Sequence, residues 1–486
     1  MDLFKPVSDE AKQHPNFKAV SNSKFFGPEQ NVVQDWAKGF VDRDNKFVFE
    51  FQTTFNSSFW ELYLNAAFRE LGFDLDFSKQ APDFWLKKEG MDFTVEAVTA
   101  SAPNGYRPEW EAKLDRNALK EFDAQKVVTL ATIRLSNSIA SKHQKYLKSY
   151  QHLEHVKDKP FVLAVAPFEQ PFFFSQNDNA MKRVLYGFDR LIYHDDLDEE
   201  TRIVFGESKI TQTIKPNGAS IPLGLFTRPG MEEVSAVIFS NTATWTKVRA
   251  LSEPGKYPVI LTGVRYNENG MQHRTCQGGK GDYEESLLDG LHVFLNPFAK
   301  HPLDVDKFKC GEMAVHSFIP ETQQYTVEVN DGFLFQHSSM VFVPKGTGKE
   351  LGVIQKQKES EYVDFQLPPF PPGELIPFEG QNVPFVDNHL AHHKGWTILV
   401  CRDLVDGDWG AQALQVVTHI VGNFIDHNQL NKSDHLMLGS WHDSAKETLL
   451  AIQKRIDQKM DPVFQKKARR KERQARQKAL AKRKLR

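Results

Sequence analysis

Three acidic residues within the first hundred positions have the types and spacing to hold a divalent cation. Glu61 lies in a segment with helical periodicity, Asp83 follows a proline, and Glu96 comes thirteen residues later in a strand-like run. Carboxylates that converge repel one another unless a cation neutralises them. Their hard oxygen ligands suit Mg²⁺ or Mn²⁺, and such a cation can polarise a phosphodiester and lower the pKa of an attacking water.

The elements that must position these carboxylates are a helix and short strands. Apolar residues recur at 3.6-residue spacing over 58–71, which predicts a helix that ends at Gly72. Three strands are predicted next, over 73–77, 83–86 and 93–98. If the last two strands pair as a hairpin through the turn at 88–90, Asp83 approaches Glu96 at the open end.

The segments that follow complete the pattern of a small α/β sandwich. A charged helix, a strand, a second helix and a buried strand are predicted over 110–122, 127–135, 138–150 and 161–166. The order is therefore helix, three strands, helix, strand, with an insertion at about 101–135.

This arrangement resembles the PD-(D/E)XK nuclease superfamily, which has the restriction-endonuclease-like fold, over about residues 56–168. The resemblance implies that Asp83 matches the acidic residue of the PD element and that Glu96 matches the acidic residue of (D/E)XK. It also implies that Glu61 matches the acidic residue that some members carry on the first helix. The family lysine is absent, because Val98 stands in its place.

In some members of the superfamily the role of this lysine moves to the following helix. Here that helix carries Lys142, Lys145, Tyr146 and Ser149 on one face, at spacings i, i+3, i+4 and i+7. Lys142 with Tyr146 also resembles the Q-x-x-x-Y element of some branches, with Lys in the Gln position. The resemblance thus implies Asp83 and Glu96 as metal ligands in a catalytic set that also includes Glu61, Lys142, Lys145 and Tyr146.

Each of these residues also has a structural interpretation. Glu61 forms a capping box with Ser58 if the helix begins there, and Asp83 after a proline can begin a turn. Glu96 needs no cation if its strand lies at the edge of the sheet and its side chain faces solvent. The two helix lysines can also simply face solvent. The joint occurrence of all of them, in order and on the right elements, favours the catalytic interpretation.

The remaining chain is predicted to form further regions. After residue 200 the sequence pattern predicts mainly β-strands. Strands are predicted over 234–239 and 258–264, and a hairpin is predicted around Asn330-Asp331-Gly332. A strand over 396–401 and helices over 411–424 and 441–460 follow the Pro-rich stretch 368–373. We therefore predict four regions: a nuclease-like domain with its lead-in at 1–200, a β-rich recognition region at 201–372, a C-terminal α/β region at 373–465, and a basic tail at 466–486.

Composition places the chain among ordinary globular proteins. It has 486 residues, of which 26% are charged and 40% hydrophobic, and its apolar runs are too short to cross a membrane. Three widely spaced cysteines exclude a disulfide framework and a cysteine-built zinc site. With no hydrophobic leader in the sequence, the prediction is a cytoplasmic protein without a membrane partner.

Charge is distributed unevenly along the chain. Residues 466–486 hold twelve Lys or Arg and one acidic residue, a balance of +11, whereas the other 465 residues have a balance of −13. A concentrated basic tail attracts polyanions through counterion release, although a solvated helix end has the same composition.

These observations favour a metal-dependent endonuclease that uses Mg²⁺ or Mn²⁺ on a nucleic-acid partner. Family resemblance extends this expectation to an anti-phage defence or toxin-like effector acting on structured RNA such as tRNA, or on DNA. The alternatives are a catalytically inactive nucleic-acid-binding protein and a protein-interaction scaffold whose tail meets an acidic partner.

Overall fold

The structure is a computed structural model in which two compact units can be distinguished. It describes residues 1–21, 23–111, 123–193, 204–268, 273–307, 309–342, 362–363, 365, 376–378, 385–393, 396–403, 409–415, 419–421, 424–426, 435–442 and 444–460. The first unit comprises Met1–Asp189, Ile210–Pro368 and His419–Asp426. The second comprises Arg190–Lys209, Pro369–Thr418 and His427–Arg486.

The helices that the structure describes in the first unit surround its sheets. They are α1 (Pro15–Val20), α2 (Ser23–Trp36), α3 (Phe47–Thr53), α4 (Phe55–Glu70), α5 (Ala124–Lys145), α6 (Asn179–Tyr186) and α7 (Trp245–Leu251). Helix α5 continues directly into a π-helical turn at Tyr146–Tyr150. No described helix in the chain is long and apolar enough to span a bilayer.

A mixed eight-stranded sheet forms the centre of the first unit, in the order β1-β2-β3-β4-β9-β12-β13-β14. Its strands are β1 (Asp74–Leu75), β2 (Phe84–Lys88), β3 (Met91–Ser101), β4 (Phe161–Phe168), β9 (Ala236–Phe239), β12 (Leu291–Leu295), β13 (Met313–Ile319) and β14 (Gln324–Glu328). Strands β3, β4 and β9 run parallel, and β1 to β3 form an antiparallel meander.

A second sheet of the first unit is antiparallel, in the order β11-β10-β15. Its strands are β10 (Val259–Arg265), β11 (Arg274–Gly278) and β15 (Leu334–Val341). The short pairs are β7 (Gln212–Ile214) with β8 (Ser220–Pro222), and β20 (His419–Val421) with β21 (Phe424–Asp426).

The second unit contains an antiparallel five-stranded sheet and one described helix. The sheet strands are β16 (Ile376–Phe378), β17 (Phe385–His393), β18 (Trp396–Asp403), β19 (Trp409–Gln415) and β22 (His435–His442), in that order. The helix α8 (Ala445–Met460) packs on this sheet with Leu449, Ile452 and Ile456 buried. A further pair, β5 (Phe188–Tyr193) with β6 (Val204–Lys209), lies mainly in this unit.

The core of the first unit lies on both faces of the large sheet. Every residue of β4 is buried, as expected for a strand with parallel neighbours on both sides. Val162 and Ala164 of β4 pack with the side chains of α4, whereas Phe161, Leu163 and Val165 pack with those of α5 and α6. The chain is thus a mixed α/β protein, and α4 and α5 cover opposite faces of the same strands.

The sequence pattern misassigned two segments. Residues 127–135, predicted as a strand, lie inside α5, because Asp123 caps this helix by accepting the backbone N–H groups of Gln125 and Lys126 at 2.9 and 3.2 Å. The helix predicted over 411–424 is also wrong. Its first residues form β19, which pairs with β18 and β22.

The hairpin predicted around Asn330-Asp331-Gly332 is wrong as well. The turn itself forms, with Gly332 in the left-handed region (φ 84°). However, β14 before the turn pairs with β13 in the large sheet, and β15 after it pairs with β10 in the second sheet. The turn therefore passes the chain from one sheet to another.

Other predicted boundaries fare differently. The strands over 161–166 and 396–401 are confirmed, and the last helix begins at Ala445 because residues 441 and 442 end β22. The predicted division after residue 200 falls between β4 and β9, which are neighbours in the large sheet. The linker 368–373, the tail 466–486 and nearly all of the helix predicted over 110–122 lie outside the described residues.

Candidate carboxylate and lysine site

The hairpin of β2 and β3 brings Asp83 next to Glu96. Phe84 pairs with Val95 in the register of this hairpin, so Asp83 and Glu96 lie opposite each other at its open end. The carboxylate of Asp83 accepts the backbone N–H of Ala97 through Oδ2 at 2.7 Å. This bond engages one oxygen of Asp83, and Oδ1 is the oxygen that a cation could bind.

Glu96 is a buried carboxylate in the middle of the sheet. Its strand β3 lies between β2 and β4, so the interpretation as a residue of an edge strand is wrong. The residue is 1% exposed, and its Oε2 atom is buried with no hydrogen-bond partner. A buried carboxylate oxygen without a partner is costly, which marks Oε2 as the place where a positive group is missing.

Two lysines from α5 bind the other oxygen of Glu96. Lys142 Nζ lies 2.6 Å from Oε1, and Lys145 Nζ lies 2.9 Å from the same atom. Their spacing of three residues places both on the face of α5 that packs against β3. Lys142 is therefore partly buried in this ion pair, whereas Lys145 makes the same pair with a side chain that still faces solvent.

Glu61 approaches the same site from α4. This helix begins at Phe55, and Ser58 is buried inside it, so the capping-box interpretation of Glu61 is wrong. Burial, and then the negative charge of Asp83, raise the pKa of Glu61 to about 8, although Arg43 opposes this shift. Arg43 also donates to the backbone oxygen of Asp83 at 3.3 Å.

The carboxylates are electrostatically coupled. Burial, and then the charge of Glu96, raise the pKa of Asp83 to about 6, and the Ala97 N–H and the two lysines only partly offset these effects. The acidic side chains Glu61, Asp83 and Glu96 do not bring three ligand atoms within 4.8 Å of one another. The three carboxylates therefore influence one another electrostatically without converging on one point.

This coupling predicts an unusual pH dependence of stability without divalent cations. Folded Asp83 and Glu61 release their protons near pH 6 and pH 8, whereas unfolded carboxyls release them near pH 4. Between these values the folded state binds more protons, so these two groups stabilise the fold below pH 4 and this contribution is lost as the pH rises to about 8. Urea unfolding in EDTA between pH 5 and pH 8 measures the slope. The variants Asp83→Asn and Glu61→Gln should flatten it, and an unchanged slope in both would contradict the assigned coupling.

The aromatic residue near Glu96 is Tyr150, and Tyr146 lies elsewhere. The ring of Tyr146 packs in the core at 4.4 Å from the ring of Phe161, and burial, then the charge of Glu233, raise the pKa of its hydroxyl. In contrast, burial, then the charge of Glu96 and a side-chain hydrogen bond with Glu96, raise the pKa of Tyr150, whose ring centroid lies 4.9 Å from Lys145 Nζ. The π turn adds one residue to the helical repeat, which brings position i+5 rather than i+4 over Lys145.

A separate polar cluster lies in the core of the same unit. Asp178, His292 and His316 are buried, and their ligand atoms lie within 4.8 Å of one another. His292 Nδ1 and His316 Nε2 are 2.9 Å apart, and Lys182 Nζ already pairs with Asp178 at 3.1 Å. Imidazole nitrogens beside an ammonium group do not suit Mg²⁺, so this cluster is no alternative location for the predicted cation.

Comparison of the chain with protein-family models, with curated proteins and with solved structures finds no match.

Proposed function

We propose that this protein is a metal-dependent nuclease that hydrolyses phosphodiester bonds in nucleic acid, with a restriction-endonuclease-like core from α4 to β4. One observation carries the proposal. A central strand presents a fully buried carboxylate, Glu96, that is bound by two lysines on one oxygen, unpartnered on the other, and adjacent to Asp83. An ordinary structural ion pair needs neither the second carboxylate nor the unpartnered oxygen.

The residues present fit a hard divalent cation. Asp83 and Glu96 would hold Mg²⁺ or Mn²⁺, because the unpartnered Oε2 of Glu96 is an oxygen ligand without a positive partner. When bound, such an ion supplies Lewis acidity and lowers the pKa of a bound water.

The other side chains of the site act on the substrate and on protons. Lys142 and Lys145 supply the positive charge that the missing family lysine would give, and they can hold a phosphate oxygen beside Glu96. The carboxyl group of Glu61 has a pKa near 8, so at neutral pH it can hold a proton and release it to a leaving oxygen.

The charge distribution bears on the substrate. A body with a balance of −13 lacks the distributed cations that wrapping a duplex requires, whereas the +11 tail can recruit any nucleic acid. We infer a compact structured RNA such as tRNA, or DNA, as substrate, and a role as an anti-phage defence or toxin-like effector in the cytoplasm.

Labelled tRNA and plasmid DNA, incubated with the full chain in Mg²⁺, Mn²⁺ or EDTA, test the proposal. Cleavage that requires the divalent cation supports it. Binding without cleavage would favour the inactive nucleic-acid-binding protein. If neither substrate is bound or cut, the interaction scaffold becomes the better interpretation.

The two lysines are expected to contribute unequally. Lys142 makes the shorter bond to Glu96 and is 29% exposed, whereas Lys145 is 48% exposed. We expect Lys142→Met to lower the cleavage rate by about 10²-fold, and Lys145→Met by clearly less, since the less hydrated charge acts more strongly. Single-turnover cleavage rates measure both, and Lys148→Met, an exposed lysine on the π turn, is the matched control. Equal losses of cleavage rate in all three variants would show that Lys142 and Lys145 have no specific role in the site.

Removal of residues 466–486 should weaken nucleic-acid binding and reduce its salt dependence. If k basic residues of the tail contact phosphates, the slope of log K against log salt should shrink by roughly 0.7k to 0.9k. Binding titrations at several salt concentrations measure this, with a tail of equal length and Gln in place of its twelve basic residues as control. An unchanged slope would mean that the tail does not contact the nucleic acid.

A further inference from the structure

The first unit contains a cavity of about 400 Å³ that the nuclease proposal does not use. This volume falls within the range of small-molecule sites, which are mostly apolar with a few convergent polar groups. Nine of its twenty lining residues are Phe or Trp, among them Phe26, Phe55, Phe59, Phe173, Phe174 and Trp245. A ligand of this cavity therefore needs a flat or bulky apolar body.

A hydrogen-bonded relay lies at one wall of the cavity. Thr244 and His337 both line it, and Thr244 Oγ1 is 2.9 Å from His337 Nε2. On the far side of the ring, His337 Nδ1 lies 3.0 and 3.1 Å from the two carboxylate oxygens of Glu285. The order hydroxyl, imidazole, carboxylate is the arrangement that activates a nucleophile in acyl transfer.

Buried partners fix the charge of the carboxylate in this relay. Lys247 Nζ lies 2.7 Å from Glu285 Oε1, and the hydroxyl of Tyr283 donates to Oε2 at 2.7 Å. Burial alone would raise the pKa of Glu285, but His337 and Lys247 outweigh it and hold that pKa well below its usual value. Glu285 is therefore ionised and can only accept, so Nδ1 of His337 donates to it, and Nε2 is the ring nitrogen that faces the hydroxyl of Thr244.

The charges around the cavity are compensated. Arg249, on the same wall as Thr244, has Glu29 at 3.5 Å and donates through Nη1 to Ser339 at 2.7 Å. On another part of the lining, burial raises the pKa of Glu109 to about 7. Among the lining residues that the structure describes, the charged side chains Arg249 and Glu109 both have polar or charged partners, which disfavours a charged ligand.

We propose that this cavity is a second active site, in which Thr244 attacks the carbonyl carbon of a neutral ester that carries an aromatic acyl group. The bond from Thr244 Oγ1 to that carbon forms as the hydroxyl proton passes to His337 Nε2. The bond to the alcohol oxygen then breaks, and His337 returns the proton to the departing alcohol. Water repeats the sequence on the acyl-threonine, and the products are a carboxylic acid and an alcohol.

Arg249 is the group that can stabilise the negative charge on the carbonyl oxygen during this attack. It lines the cavity on the helix that follows Thr244, and its guanidinium has more N–H groups than its bonds to Ser339 and Glu29 require.

A purely structural role for Thr244 must be separated from catalysis. Its hydroxyl accepts the N–H of Thr246 at 3.2 Å and thereby caps α7. Thr244→Ser keeps both the cap and a nucleophile, whereas Thr244→Val loses both with little change in volume. Thr326→Val is the matched control, because this threonine is exposed on β14 and is not among the residues that line the cavity.

Two measurements on the full chain test the proposal: hydrolysis of 4-nitrophenyl benzoate, and labelling by phenylmethanesulfonyl fluoride mapped by peptide mass spectrometry. We expect kcat/KM to fall by about 100-fold or more in Thr244→Val and in His337→Gln. Thr244→Ser should retain part of the activity because it keeps a hydroxyl nucleophile, and Thr326→Val should equal the parent chain. The sulfonyl group should be found on Thr244, with fluoride released.

The opposite results would overturn the proposal. These are no hydrolysis or labelling by the parent chain, a label on another residue, or equal kcat/KM in Thr244→Val and Thr326→Val when circular dichroism finds both folded. Because the assay contains neither nucleic acid nor divalent cation, its outcome is independent of the proposed nuclease function.

Discussion

Glu96→Gln is expected to reduce Mg²⁺-dependent cleavage by about 10³-fold, the upper end of the loss caused by removing one preorganised charged group from an active site. The substitution keeps the size of the side chain and removes the negative charge. It thus removes one of the two anionic ligands proposed for the cation and the common partner of Lys142 and Lys145. Single-turnover cleavage of the preferred substrate in saturating Mg²⁺ measures the effect.

The matched control for this experiment is Asp92→Asn. Asp92 lies on the same strand and also pairs with a lysine, since Lys159 Nζ is 2.7 Å from it. The control should cleave at nearly the parent rate, and both variants should still bind nucleic acid. If Glu96→Gln cleaves as fast as Asp92→Asn, the assignment of the active site is wrong.

Lys247→Met is expected to lower the free energy of unfolding by about 3–5 kcal/mol, which is the typical cost of leaving one partner of a buried ion pair uncompensated. Both Lys247 and Glu285 have fully buried side chains, and Lys247 Nζ also donates to the backbone oxygen of Asp289 at 2.7 Å. The variant therefore leaves a carboxylate in the core with part of its positive environment removed. Equilibrium urea unfolding at pH 7 measures the change.

A second lysine supplies the comparison. Lys300 pairs with Glu233 at the same 2.7 Å, but its side chain is 59% exposed. Lys300→Met should therefore change stability far less, because water replaces the lost partner. The double variant Lys247→Met with Glu285→Gln should recover part of the loss, since it removes both charges and keeps an acceptor for Tyr283 and His337. Similar losses in the two single variants would show that burial does not control the strength of this pair.

The part of the candidate site that could be predicted from sequence depends on regular repeats. A strand alternates with a period of two, so the short turn at 88–90 places Asp83 opposite Glu96, and the structure has this register. A helix repeats every 3.6 residues, so Lys142 and Lys145 share a face, and both reach Glu96.

Other features carry no such signal. Tyr150 lies near Glu96 only because the helix widens into a π turn, which a 3.6-residue pattern does not contain. Residues 127–135 favour a strand by composition, but the cap at Asp123 and packing on the sheet place them in α5. The relay of Thr244, Glu285 and His337 joins residues from separate parts of the chain, which no local spacing could bring together.

The π turn also gives the site a sensitivity to chain length rather than to side-chain identity. Each residue of an α-helix advances the chain by about 100° around the axis. Deletion of one residue between Tyr146 and Tyr150 would return this segment to the ordinary repeat and move Tyr150 from position i+5 to position i+4, so its ring would stay over Lys145. Insertion of one residue in the same place would instead turn Tyr150 by about 100° around the axis and remove the aromatic neighbour of Glu96, while Lys142 and Lys145 kept their positions.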